Sequence, residues 1–301
     1  MKKLLLILLS FPVFAQQDPM YSQYMFNMLS INPAYAGSRE VLSATALGRW
    51  QWAGIEGAPQ TQTFSLDAPF KNKQFGGGLQ LVNDKLGVSR NTGLFGSYAY
   101  RLRLSNKALL AMGLQAGFYW FRSDLVGVVN NNDGAFSANV SRVLPNVGTG
   151  VYYSTDNFYI GLSIPHLFKN KLDDLIRQSA ATNRAVQYRH LFLMSGIVLP
   201  VSETIKIKPS ALLKVVKGAP VQFDINANVW MRDVVGIGAS YRSGDAALIM
   251  AEFQATKQLR FGYAYDFILT SLRTSNAGTH EIMLRYEFGS KTDKMLSPRY
   301  F

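Results

Sequence analysis

Along residues 221–231 apolar and polar side chains alternate. Val221, Phe223, Ile225, Ala227, Val229 and Met231 fall on one face, and Gln222, Asp224, Asn226, Asn228 and Trp230 on the other. Successive side chains of a strand point to opposite faces, so this segment predicts a strand with one apolar and one polar side. Residues 259–269 repeat the split: Leu259, Phe261, Tyr263, Tyr265, Phe267 and Leu269 oppose Arg260, Gly262, Ala264 and Asp266. In residues 204–215, Ile205, Ile207, Pro209, Ala211, Leu213 and Val215 oppose Thr204, Lys206, Lys208, Ser210 and Lys214.

A soluble two-sheet sandwich also alternates. Three features select a membrane barrel instead. The segments run about 9 to 13 residues, matching tilted membrane strands rather than the average strand of roughly 5 or 6. Gly, Ala and Ser recur on the polar side, as a crowded lumen needs. Aromatics gather near segment ends, as in Tyr119-Trp120-Phe121, Trp50 with Trp52, and Tyr286 with Phe288, which predicts interfacial girdles.

Strands are predicted at 41–52, 60–68, 74–84, 92–104, 108–122, 146–154 and 158–165, then at 188–199, 204–216, 221–231, 234–242, 246–255, 259–269 and 279–288. That is about fourteen, an even number as a single-chain bacterial barrel requires. The connections after even-numbered strands are tight polar turns at 71–73, 105–107, 155–157, 201–203, 232–233 and 256–258. The other set holds the longer connections: 123–145, 166–187, 84–90 and 270–278. Short periplasmic turns and longer external loops are the barrel rule, so both termini are expected in the periplasm. In the last strand His280, Ile282, Leu284, Tyr286 and Phe288 are expected to face lipid, opposed by Glu281, Met283, Arg285 and Glu287. This strand must pair with the first, because a barrel leaves no free edge in hydrocarbon.

The first fifteen residues differ from the rest. Lys2 and Lys3, the apolar run Leu4 to Leu9, and Val13-Phe14-Ala15 form a secretory leader, with the mature chain expected to start at Gln16. After Leu9 no apolar run reaches the roughly 18 residues a spanning helix needs. The expected organisation is therefore a signal peptide at 1–15, an N-terminal periplasmic or plug segment at 16–39, an outer-membrane barrel at 40–289 and a periplasmic tail at 290–301. Tyr21, Tyr24, Met25, Met28 and Leu29 recur at three- and four-residue spacing, which predicts one apolar face on a short helix ended by Asn32-Pro33. That face suits either a structural plug or a partner-binding peptide.

Chemistry is sparse. The chain has no cysteine, which excludes disulfides, thiolate metal sites and a cysteine nucleophile. Its net charge of +12 comes from basic residues set singly among apolar ones, which suits a lumen lining or anionic lipid better than a phosphate-tracking stripe. His166, His190 and His280 are far apart, and Leu284 stands where a zinc-protease pattern starting at His280-Glu281 needs its second histidine. No Gly-x-Ser-x-Gly elbow occurs, and Gly76-Gly77-Gly78 lies within a predicted strand rather than before a helix. Asp173-Asp174 lacks the oxygen-rich repeat of a calcium loop. No catalytic residue, cofactor or metal is expected. Lys206, Lys208, Lys214, Arg260 and Arg285 are the candidate lumen-facing basic residues, whereas Phe223, Ile225, Phe261 and Tyr263 are expected to face lipid.

The stretch Gln17-Asp18-Pro19-Met20-Tyr21-Ser22-Gln23-Tyr24-Met25-Phe26-Asn27, followed by Asn32-Pro33-Ala34-Tyr35-Ala36-Gly37-Ser38, resembles the opening of PorP/SprF outer-membrane proteins of type IX secretion in Bacteroidota. Further likeness lies in Gln51-Trp52 with Gly54, Pro59 and Gln60, in Phe75-Gly76-Gly77-Gly78-Leu79, in the run from Tyr159 to Pro165-His166-Leu167, and in Glu281-Ile282-Met283-Leu284. The resemblance implies a non-enzymatic barrel that assists export or surface anchoring of large adhesins bearing a sorting domain, with periplasmic type IX components as further partners and a link to gliding motility. The other reading of the same fold is a passive porin or small-solute channel.

Overall fold

The computed structural model describes residues 20–71, 73–126, 139–170 and 188–289. The strands are β1 (Leu42–Trp50), β2 (Gln60–Pro69), β3 (Phe75–Leu86), β4 (Ser89–Arg103), β5 (Ala108–Ser123), β6 (Val140–Thr155), β7 (Phe158–Ile164) and β8 (His190–Ile197). They continue as β9 (Leu199–Pro200), β10 (Ile205–Val216), β11 (Gln222–Met231), β12 (Val235–Arg242), β13 (Ala246–Gln254), β14 (Leu259–Ile268) and β15 (Thr279–Phe288). The short β9 extends β8 beyond Val198, and both pair with β10, so the fifteen segments form fourteen staves. Every pairing is antiparallel between neighbours, and β15 returns to β1 from Leu42↔Phe288 to Trp50↔His280. The sheet is a closed fourteen-stranded barrel.

Alternation fixes which face looks inward, since a slip of one residue would exchange the faces of a strand. In β11, Asp224, Asn226, Asn228 and Trp230 are buried, while Phe223, Ile225 and Val229 are exposed. The outer surface carries Leu114, Ile237, Phe253, Phe261 and Tyr263, all exposed to an extent no water-facing sheet sustains. In hydrocarbon this surface costs nothing. Ile225→Arg is accordingly expected to destabilise the barrel by about 2–4 kcal/mol in urea unfolding from lipid vesicles. An equal loss from Ile225→Leu would contradict a lipid-facing position.

The structure corrects several boundaries. The connection expected at 84–90 is a tight hairpin: β3 runs to Leu86, β4 starts at Ser89, and Gly87 at φ 56 supplies the left-handed backbone of the turn. Likewise β6 starts at Val140, paired with Ser123, so that Arg142 and Pro145 belong to a strand rather than a loop. Both errors have one cause. Beyond the lipid, both faces of a strand meet water, so alternation fades while pairing continues. Two supposed girdle residues also turn inward. Tyr119 is buried between Phe95 and His166, and Trp52 packs against Ala246, Leu248 and Ile268.

Candidate functional site

The lumen is the candidate site, and residues 20–39 fill it. Instead of the expected single helix there are three 3-10 turns, Tyr24–Phe26, Met28–Ser30 and Pro33–Tyr35. A single helix with one apolar face is not what forms, because inside the tube the segment meets wall on every side and that wall offers both polar and apolar side chains. The segment is buried all round, including Ser22, Gln23, Asn27 and Asn32. Pro33 opens a turn rather than only ending a helix: the Asn32 side chain accepts from the Ala34 N–H at 3.0 Å, and its amide donates to the Val151 carbonyl at 3.1 Å.

Bonds from this plug reach strands around the circumference. Tyr21 OH meets Thr63 Oγ1 at 2.6 Å, Asn27 Nδ2 donates to Ser65 Oγ at 3.1 Å, and the Gly37 N–H donates to Asp67 at 3.0 Å, all on β2. Ser163 Oγ on β7 donates to the Ile31 carbonyl at 2.6 Å, and Asn226 Nδ2 on β11 donates to Tyr24 OH at 2.8 Å. On β15, both Glu281 carboxylate oxygens accept backbone N–H groups, from Ser22 and Gln23, at 2.8 Å each. Arg49 on β1 completes this corner, with Asp266 at 2.9 Å and Glu281 at 3.1 Å. Arg242 joins Asp224 at 2.9 Å and stands 3.7 Å from Asp266. Such a network is strong because each buried charge has both an opposite charge and hydrogen bonds.

The wall makes room for the plug. A methyl group at Gly76, Gly113 or Gly150 would overlap Ala36, the Pro33–Ala34 backbone or the Asn32 side chain, respectively. Between these contacts Met25, Phe26, Met28, Leu29 and Ile31 pack with Phe192, Met194, Leu212, Met250 and Met283 from the strands. The lumen is thus a packed core rather than a water column. Of these, Met283 is inward as its phase with Glu281 and Arg285 predicts, whereas Phe192, Met194, Leu212 and Met250 are inward apolar residues not singled out from the sequence.

The plug also has a direction. Its Ser22 end lies by Asp266 and Glu281, near the β14–β15 connection, and Gly37 lies by Asp67, near the opposite end where β1 begins. The chain therefore threads the lumen from the end bearing the long connections to the end bearing the tight turns.

The family described as type IX secretion system membrane protein PorP/SprF matches residues 13–286, most of the chain. The chain belongs to the PorP/SprF family. It is a membrane component of type IX secretion, and its closed barrel is of the outer-membrane kind. No curated protein matches the chain. Among solved structures it is similar to the outer membrane protein Omp33 of Acinetobacter baumannii, at 10% identity and a TM-score of 0.49, covering 83% of this chain and 99% of that one. It is also similar to the CymD monoaromatic hydrocarbon channel, at 13% identity and 0.49, covering 89% and 93%. A third is the toluene transporter TodX of P. putida, at 13% identity and 0.48, covering 88% and 95%.

On this PorP/SprF chain the residues of the family resemblance fall in three places, of which the stretch from Asn32 to Gly37 lies at the contact between plug and wall. Asn32, Pro33, Ala34, Tyr35 and Ala36 are buried, and Gly37 turns the chain at φ 74. Pro165 and His166 fold inward after β7, where His166 Nε2 lies 3.2 Å from Tyr119 OH and its ring packs on Phe95. Gln51 and Trp52 begin the β1–β2 connection, with the Gln51 N–H on the Pro59 carbonyl and the Trp52 N–H on Thr279. The five candidate basic residues do not form one group. Lys208, Lys214 and Arg285 are buried, Lys206 reaches Asp233 at 2.7 Å near the tight-turn end, and Arg260 donates to Gln254 at 2.6 Å.

Proposed function

We propose that the protein is a non-enzymatic outer-membrane accessory of type IX secretion in Bacteroidota, assisting export or surface anchoring of a large adhesin while its periplasmic side meets other components of the system. The observation that carries this reading is the filled lumen: a solute channel needs water where Met20 to Arg39 lie, whereas a scaffold needs a rigid closed wall. The tight turns are assigned to the periplasm and the longer connections to the cell surface, by the usual asymmetry of such barrels. On that assignment the Ser22 end of the plug lies toward the outside, unlike the periplasmic amino terminus that the strand count alone implies. Much of the two longest connections, as well as the leader and the tail at 290–301, lies outside the described residues.

The test is deletion of the gene, followed by protease shaving of surface adhesins and a spreading-motility assay. The expected result is loss of one or more type IX substrates from the surface. Unchanged secretion and attachment of every such substrate would defeat the proposal.

A further inference from the structure

On the outer face of the wall Lys85, Arg90 and Arg122 stand side by side on β3, β4 and β5, each the direct register partner of the next. All three are exposed, and none makes an ion pair among the described residues. Like charges directly opposite each other destabilise a sheet, and here two such pairs adjoin. Asp124, two residues beyond Arg122, is exposed and joins neither arginine. Basic residues at the tight-turn end are placed differently. There Lys206 holds Asp233 at 2.7 Å, and Lys73 and Arg101 reach Glu40 at 3.5 and 3.6 Å.

The depth of the row follows from what lies below it on the same face. Leu81, Leu94 and Phe118 form a parallel row in direct register, exposed on the lipid-facing surface. Between the two rows runs a polar band, in which Asn83 donates to Gln62 at 3.3 Å and accepts from Thr92 at 3.3 Å. Trp120 continues that band, its Nε1 donating to Ser141 Oγ at 2.9 Å, and the Arg122 guanidinium lies over its ring at 3.6 Å from the centre. Tryptophan at such a boundary marks where hydrocarbon gives way to headgroups. The basic row is therefore at headgroup level, on the side of the longer connections.

We propose that Lys85, Arg90 and Arg122 bind the phosphorylated sugar headgroup of a glycolipid in the outer leaflet, its acyl chains lying along Leu81, Leu94 and Phe118. The choice of leaflet rests on the assignment of the longer connections to the cell surface. Cations without a protein counter-charge at headgroup depth attract anionic lipid, and arginine forks suit phosphate oxygens. The apolar row directly beneath selects an amphipathic ligand over free phosphate. From β3 to β5 the row spans two strand spacings, roughly 10 Å, broader than a single phosphate group and suited to a sugar headgroup.

The test is native mass spectrometry of the purified full-length protein in detergent, titrated with diphosphoryl lipid A, with the same lipid stripped of its phosphates, or with phosphatidylglycerol. The wild type is expected to bind lipid A about ten-fold more tightly than either other lipid. The triple variant Lys85→Gln, Arg90→Gln, Arg122→Gln should lose that preference. The charge-matched control Lys71→Gln, Arg103→Gln, Lys107→Gln, altered at exposed positions of the tight-turn end, should keep it. Heat-modifiable gel mobility shows whether each variant is folded; if the triple variant is not, Arg90→Gln alone should weaken lipid A binding about five-fold. Equal binding of the phosphorylated and stripped lipids, or equal losses in both triple variants, overturns the proposal and leaves the secretion role to its own test. A preference for phosphatidylglycerol overturns it as well, and with it the assignment of the longer connections to the cell surface.

Discussion

Arg49→Met is expected to destabilise the folded barrel by about 3–5 kcal/mol, measured by denaturant unfolding in lipid vesicles. Methionine keeps much of the aliphatic bulk but removes the charge that faces Asp266 at 2.9 Å and Glu281 at 3.1 Å. Both carboxylates are fully buried, so neither can turn to water. Arg242, 3.7 Å from Asp266, already serves Asp224 and compensates only in part. The double variant Arg49→Met with Asp266→Asn should recover some of the loss, because it removes one of the stranded charges together with its partner. A loss below about 1 kcal/mol in the single variant, the size of an exposed pair, would mean that this corner is hydrated and that the plug is not locked there.

Gly113→Leu should displace the plug. The Gly113 position on β5 touches the Pro33–Ala34 backbone, which cannot swing aside as a flexible side chain does. Overpacking against ordinary core side chains costs about 1–3 kcal/mol, and here relief requires the Asn32–Val151 bond to break as the segment moves off the wall. The natural absence of cysteine makes the consequence readable: a Ser65→Cys probe, at the wall position that Asn27 contacts, should be shielded from a water-soluble maleimide in the parent and labelled in the Gly113→Leu background. Gly96→Leu is the control, since Gly96 has open space around it, the nearest atom being the Ala116 carbonyl oxygen at 3.9 Å. Equal shielding with and without Gly113→Leu would contradict the close fit.

The wall was legible because lipid imposes a period of two on every strand. β11 and β14 were readable to within a residue or so, down to the inward phase of Asp224 and Asp266. What lipid does not touch was less legible. The upper parts of β3, β4 and β6 lost their alternation in water, and Tyr119 and Trp52 looked like girdle residues because a sequence shows that an aromatic is near a strand end but not which way it leans. The plug was visible as an apolar, tyrosine-rich stretch, yet its conformation was not, because the 3-10 turns are set by contacts with distant strands such as Glu281 and Val151 rather than by local propensity. The inward phase of Arg260 and Arg285 could be read from alternation. Their pairing could not, since register across a hairpin depends on where its turn closes.

Planar-bilayer conductance of the wild-type protein beside a variant lacking residues 20–36 tests the central claim, that the N-terminal segment closes the barrel. The filled lumen predicts little steady current from the wild type and a lasting increase when the segment is removed. A steady open current in the wild type, equal to that of the deletion, would contradict it and favour a porin.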